Sequence, residues 1–277
     1  MPELPEVETV VRSLEKNLAG LTITGVDIFM PKIIRSPKPE IFTEQIVGKQ
    51  ILKKLGRRGK YLLIHLSHHV TLVVHLRMTG RLVYCEAGTP LEKHTHVVFH
   101  LNNDTMLKFT DIRQFGRMLL VPTDQLSEIT GLKNLGLEPL DPSFTREFLK
   151  KELRRKRTRI KPLLLDQYFI AGLGNIYADE VLFQAKVHPE RLALDLSTRE
   201  VSGLHRAIVE IISGAIEHRG TTFRDYVDSE GRSGDFQHHL KVYNREGFPC
   251  PRCGQPISRI KIAGRSSYYC PSCQKLK

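Results

Sequence analysis

Three observations predict an α+β chain of two domains. Short runs rich in β-branched and aliphatic residues recur from residue 22 to residue 121, helical spacing dominates after residue 143, and two Cys-x-x-Cys pairs lie near the end. The expected architecture is an N-terminal helix on an antiparallel β-sandwich, followed by a helical domain and a C-terminal zinc-binding β-hairpin. A chain of 277 residues is long enough for one large domain or two modest ones, each with its own core.

The first helix is predicted by Leu4, Val7, Val11, Leu14 and Leu18, which fall on one helical face. Pro5 suits a helix start, where its missing N–H would have no partner anyway, and Gly20 is a natural stop. Strands are expected at 23–29, 61–66, 71–76, 97–101, 106–110 and 118–121, with Asn102-Asn103-Asp104 as a turn. Residues 122–143 are rich in Pro, Gly and Asp. The expected division is therefore 1–132, a linker at 133–143, a helical domain at 144–240 and a cysteine module at 241–277. Within the helical part, 145–155 has helical spacing. Ser197 and Glu200 form a capping box ahead of the stripe Val201, Leu204, Ile208, Ile211 and Ala215. Residues 219–237, with Gly220, Gly231 and Gly234 among polar neighbours, are expected to be a flexible loop.

Lys plus Arg number 42 against 30 Asp plus Glu, a formal net charge of +12, which favours a polyanionic partner. Nucleic acid fits best, because no strongly basic amphipathic helix or lipidation motif speaks for a membrane surface. No apolar run approaches the ~20 residues of a membrane span. No secretory signal is visible, so a cytosolic protein is expected. Four of the five cysteines cluster and Cys85 stands apart, which in a reducing compartment reads as metal ligation.

Cys250, Cys253, Cys270 and Cys273, with sixteen residues between the pairs, match a four-thiolate zinc site. Such a site is structural, since four protein ligands leave no open position. Strands at 257–262 and 267–269 would place Ala263-Gly264-Arg265 at a hairpin tip, where Arg265 is either a functional cation or a solvated turn residue.

The first residues carry the chemistry. Once Met1 is removed, Pro2 is a secondary amine that can attack an electrophilic carbon and form an iminium, an electron sink, with Glu3 beside it for proton transfer. The plain alternative is a proline-started amphipathic helix. The run from Arg154 to Lys161 places six cations in eight residues and reads as a phosphate contact or a solvated face. Gly172 to Tyr177 reads as a glycine turn opening a helix, with Asn175 donating to an anion. Lys60 opens a strand. Met78 and Phe115 sit in strand-to-turn passages, where such side chains either wedge into a base stack or pack in a core. His94, His96 and His100 alternate along a strand, as a polar face more readily than as a metal site.

Taken together these segments resemble the bacterial formamidopyrimidine-DNA glycosylase family over nearly the whole chain. The likeness is carried by residues 2–8, Arg58-Gly59-Lys60, His75 to Met78, Glu92-Lys93-His94, Asp111 to Gly116, Ile160-Lys161-Pro162, Gly172 to Tyr177, Phe236-Gln237-His238 and the cysteine module. The sister endonuclease VIII group typically has Gly where this chain has Leu4, which points to oxidised purines as substrates.

The resemblance implies a helix-two-turn-helix DNA-binding element around Gly172 to Tyr177 and a lesion-capping loop at 219–237, whose backbone over 221–226 reads the oxidised base. It implies Pro2 as nucleophile on C1′, Glu3 as acid–base residue, Lys60 for β-elimination and Arg265 for δ-elimination. His75, Met78, His94, Arg113, Phe115, Arg157 and Asn175 would bind DNA. Duplex DNA bearing oxidised purines or abasic sites is the implied partner of a monomer holding one structural zinc. The chain departs from the family at Thr79, where Glu or Ser is common, at Arg219, where Gly is common, and after Arg265. A preference for oxidised pyrimidines, or a zinc-ribbon binder without catalysis, are the competing readings.

Overall fold

The computed structural model describes residues 2–223 and 226–276; Met1, Arg224, Asp225 and Lys277 lie outside the described residues. The chain is α+β and divides into two compact units. The first comprises Met1–Asn134 with His218–Asp235, and the second Leu135–Glu217 with Phe236–Lys277.

The first unit holds α1 (Leu4–Leu18), β1 (Ile23–Ile28), β2 (Ile34–Ser36), α2 (Pro39–Ile46), β3 (Gly56–Arg58), β4 (Tyr61–Leu66), β5 (Val70–His75), β6 (Gly80–Glu86), β7 (Thr95–Leu101), β8 (Thr105–Asp111), β9 (Arg117–Pro122) and a short α3 (Thr130–Lys133). The strands form two sheets, ordered β1-β7-β8-β6 and β2-β9-β5-β4-β3. Pairing is antiparallel except for the short parallel contact of β2 with β9. Alternation does the sorting. In β4, Leu62, Ile64 and Leu66 are buried while Tyr61, Leu63 and His65 are half-exposed. The helical stripe of α1 is wholly buried, and Val7, Val11, Leu14 and Leu18 join residues of both sheets in one core.

Every predicted strand of this half is present, shifted by a residue or two at some ends. Five of the elements described in this half, α2, α3, β2, β3 and β6, were not anticipated. α2 buries only Phe42 and Ile46, and β2, β3 and β6 are short or half-exposed, so their apolar pattern is weak.

The second unit holds α4 (Arg146–Leu153), α5 (Ile160–Leu165), α6 (Asn175–Ala185), α7 (Thr198–Glu217) and the hairpin β10 (Ser258–Ile262) with β11 (Arg265–Tyr269). Thr145 caps α4, its hydroxyl accepting from the Phe148 N–H at 3.1 Å. The Ser197 capping box forms as the spacing predicts: Glu200 Oε2 accepts from the Ser197 N–H at 2.9 Å, and Ser197 Oγ accepts from the Glu200 N–H at 3.3 Å. The stripe of α7 is buried throughout. Among the described residues no helix is long and apolar enough to cross a membrane.

Candidate nucleic-acid interface and catalytic centre

Pro2 and Glu3 are buried at the start of α1, with Glu3 as its N-cap. The Glu3 N–H donates to Glu6 Oε2 at 2.7 Å, and Glu6 Oε1 accepts from the Thr221 N–H at 2.7 Å. A carboxylate in the first turn is favoured by the positive end of the helix dipole. Glu6 thereby ties the start of α1 to the 219–237 segment. A side chain on Gly220, at φ +78°, would be strained and would push Glu6 from its bonds, because its Cβ would stand 2.7 Å from Glu6 Oε1. Sequence reasoning missed Glu6, which lies off the apolar stripe of α1 and looks like an ordinary surface carboxylate.

The described part of 219–237 is anchored, where the sequence suggested flexibility. The Tyr226 hydroxyl donates to the Glu6 carbonyl at 3.2 Å, and burial, with the Glu6 charge, holds that phenol well above its ordinary range. Ser229 Oγ meets Ser13 Oγ at 2.7 Å, and the Tyr84 N–H donates to the Ser229 carbonyl. Asp228 is fully buried, accepting from the N–H groups of Glu230 and Arg232 at 2.9 Å and from the Arg219 guanidinium. Arg219 stands at φ +60°, a conformation that suits glycine, and its side chain reaches Asp228. The proposed reading of a base over 221–226 falls partly on Arg224 and Asp225, outside the described residues.

Gly59 and Lys60 form the two-residue turn between β3 and β4. Arg57 Nη1 donates to the Gly59 carbonyl at 3.0 Å while its Nε donates to Glu8 Oε2 at 2.9 Å. Burial pushes the Glu8 carboxyl up, but hydrogen bonds and charge from Arg57, then Arg12, outweigh it and hold Glu8 below its ordinary range. His75 ends β5 and is buried, its ring edge-on to Tyr61 at 4.5 Å. Burial first, then the charges of Arg77, Lys60 and Arg117, holds the imidazole down to about 3. Its Nδ1 accepts from the Arg77 N–H at 3.0 Å, so the neutral ring carries its proton on Nε2 and offers one donor.

The turns after β5 and β8 present Met78, Arg113 and Phe115, all exposed, with the Arg113 guanidinium 4.9 Å above the Phe115 ring. The fully buried Asp111 organises them. Its Oδ1 accepts from the Thr79 hydroxyl and from the Arg113 N–H at 3.2 Å, and its Oδ2 from the Gly116 N–H at 2.7 Å. Thr79 Oγ1 also accepts from the Arg113 N–H at 3.0 Å, so this departure from the family pattern joins the two turns. The His94 carbonyl accepts from the Asp111 N–H, and the Asp111 carbonyl lies 2.8 Å from His96 Nε2. His100 pairs with Asp27 instead, while His94 and His96 both meet the Asp111 backbone, so the three histidines do not converge on one site.

In the second unit Asn175 opens α6 behind Gly174. Its Nδ2 donates to the Ser266 carbonyl at 3.1 Å, leaving one amide hydrogen for another acceptor. Lys161 was read as part of a surface run, but it is 1% exposed. It meets Asp179 Oδ1 at 2.6 Å and donates to the same Ser266 carbonyl at 2.8 Å. Asp179 Oδ2 accepts from the Tyr268 N–H at 3.1 Å; burial pushes this carboxyl up against the pull of Lys161. The pair therefore clamps the hairpin on either side of Ser267. Arg157 is exposed, as a surface cation should be. Ala263 and Gly264, at φ +46° and +78°, make the whole turn, and Arg265 is the first residue of β11, opposite Ile262, rather than part of the tip.

The four sulfurs all lie within 4.8 Å of one another, with Cys250 to Cys273 at 3.9 Å and Cys253 to Cys270 at 3.5 Å. A tetrahedron with Zn–S bonds of about 2.3 Å has edges of about 3.8 Å, so the cluster fits one zinc ion. Backbone N–H groups of Arg252 and Cys273 point at sulfur, each at 3.4 Å, as thiolates require. Arg252 also donates to the Phe183 and Gln184 carbonyls at the negative end of α6, docking the module on that helix.

Known proteins agree with this geometry. Family models match at residues 1–118 (formamidopyrimidine-DNA glycosylase N-terminal domain), 135–227 (formamidopyrimidine-DNA glycosylase H2TH domain) and 247–276 (zinc finger found in FPG and IleRS). The formamidopyrimidine-DNA glycosylases of Desulforamulus reducens and Pelotomaculum thermopropionicum are 71% and 62% identical, each over the full length of both chains. Lactococcus lactis Fpg bound to DNA containing an abasic site is 39% identical, with TM-score 0.93 over 99% of this chain and 100% of that one. A mutant of that enzyme bound to Fapy-dG-containing DNA gives TM-score 0.94 at the same identity and coverage. Family models that match most of its length, and relatives 71% and 62% identical over both full chains, show that the chain belongs to the formamidopyrimidine-DNA glycosylase family.

Proposed function

We propose that the chain is a base-excision-repair DNA glycosylase with abasic-site lyase activity, which removes 8-oxoguanine and formamidopyrimidines from duplex DNA. The observation that carries the reading is the N-terminus: Pro2 buried at the head of a helix, next to a Glu3 whose backbone is held by Glu6. With Met1 gone, the Pro2 amine attacks C1′ of the damaged nucleotide and the base leaves, protons moving through Glu3. The resulting iminium acidifies C2′. Loss of that proton expels the phosphate on the 3′ side, and a second elimination expels the 5′ phosphate, with Lys60 serving the first and Arg265 the second.

Reaching C1′ requires the nucleotide to be everted, at a cost of a few kcal/mol. Met78 and Phe115 fill the vacated stack and Arg113 faces the orphaned cytosine, which suits their exposure on braced turns. His75 donates from Nε2 to a phosphate without carrying charge, and Lys60, Asn175 and Arg265 grip phosphates around the everted nucleotide. His94 and Arg157 contact DNA as well. Zinc keeps the hairpin folded, and the chain's own residues do the rest. The working compartment is the cytoplasm, on chromosomal DNA, as a monomer.

Single-turnover cleavage of 8-oxoguanine opposite cytosine, compared with thymine glycol opposite adenine, tests the assignment. Faster cleavage of the oxidised purine is expected. Faster cleavage of thymine glycol overturns the purine assignment, and binding without incision overturns the enzyme.

A further inference from the structure

A cavity of about 430 Å³ opens at one end of the five-stranded sheet, lined by Arg35, Tyr61, Arg77, Arg117, Glu128 and Gly131 among others. Its cations are placed there by strand register. Tyr61 lies opposite His75 across β4 and β5, and His75 lies opposite Arg117 across β5 and β9. Opposed residues share a face and stand about 5 Å apart, so hydroxyl, imidazole and guanidinium form a row. Arg35 lies on β2, which pairs with β9 on its other side. Arg77 follows His75 by two residues, at φ +57°, and its N–H is fixed by His75 Nδ1.

Several other arginines of this unit meet a carboxylate: Arg12 and Arg57 share Glu8, Arg81 meets Glu92 and Arg219 meets Asp228. Among the described residues Arg35, Arg77 and Arg117 have no such carboxylate and no side-chain hydrogen-bond acceptor, and Glu128 is the one acidic group in the cavity lining. Three arginines lining one cavity against a single carboxylate suit a phosphate-sized anion. The opposite wall is set as near as chemistry allows, because a Cβ on Gly131 would stand 2.0 Å from the Tyr61 hydroxyl.

We propose that this cavity takes a backbone phosphodiester of the damaged DNA strand, the one adjoining the phosphate gripped by Lys60 and His75. The proposal rests on the reading of the chain as a DNA-binding repair enzyme, and it extends the strand's track along the row Tyr61, His75, Arg117. The ligand is a phosphate in the backbone, so the contact carries no base specificity. It sets where along the strand the protein sits.

Methylphosphonate scanning decides the matter. Phosphates of the damaged strand in a duplex bearing a reduced abasic analogue are neutralised one at a time, and Kd is measured for the parental protein and for the double variant R35A/R117A. The parental protein is expected to lose about fivefold to tenfold at one phosphate beside those of the Lys60 and His75 grip. The double variant should bind more weakly but lose that sensitivity alone, and its salt slope should fall by about one for the phosphate released. R35K/R117K should keep most of the slope, and thermal melting checks that each variant is folded. Full sensitivity at every phosphate in a folded double variant, with an unchanged salt slope, overturns the proposal. Borohydride trapping of the parental protein on abasic DNA reports separately on the catalytic reading, because the phosphate scan needs no chemistry at C1′.

Discussion

Asp111 in the first unit and Asp179 in the second solve one problem in two ways. Each is sealed from water, at 0% and 1% exposure, and each holds a turn that presents candidate functional side chains. Asp111 is satisfied by neutral donors, a hydroxyl and two backbone N–H groups, and it braces the Arg113 to Phe115 turn. Asp179 is satisfied by the Lys161 ammonium and one N–H, and the pair clamps the strand that begins with Arg265. A buried ion pair is costly to assemble and more costly to split, whereas a carboxylate met by neutral dipoles can lose one partner at a time. The hairpin anchor should therefore fail all at once, and the Arg113 to Phe115 turn by degrees.

The largest effect expected is from Lys161→Met. It strands a buried carboxylate and should cost about 3–5 kcal/mol in urea unfolding. Adding Asp179→Leu should recover most of that loss, because the pair can be exchanged for apolar volume; no recovery would mean the hairpin needs the charges themselves. Asp111→Asn leaves one of two backbone N–H groups without its acceptor and should cost about 1–3 kcal/mol. Thr79→Val should cost about 1 kcal/mol and loosen the turns after β5 and β8 together, read as faster amide exchange at Arg113. The smallest effect is in pH dependence. His75 is near 6.5 when unfolded and about 3 when folded, so its neutral ring contributes stability that is complete above 6.5 and lost as pH falls through the folded value. His75→Asn should flatten the stability curve between those limits, and an unchanged slope would place the ring in water.

The same contrast explains what could be read from the sequence. Apolar periodicity is local, so the stripe of α1, the alternation of β4 and the Ser197 box were legible. The zinc ligands were legible because thiolate spacing is itself the signal. A charge run looks alike whether it faces water or a buried partner, so Lys161 was misread among its neighbours. Nothing local links it to Asp179, eighteen residues on. Glu6, Asp111 and Asp228 escaped for the same reason, since their partners are backbone N–H groups brought by the fold. The Arg35, Arg77 and Arg117 cluster depends on strand register, which no single stretch of sequence encodes.

The central claim is that the Pro2 nitrogen is the nucleophile. Reaction of the Met1-free protein with an abasic duplex in borohydride, followed by peptide mass spectrometry, tests it most directly. A reduced sugar adduct on Pro2, abolished by acylating the N-terminus, is the predicted result. An adduct on a lysine, or undiminished cleavage by the acylated protein, would contradict it.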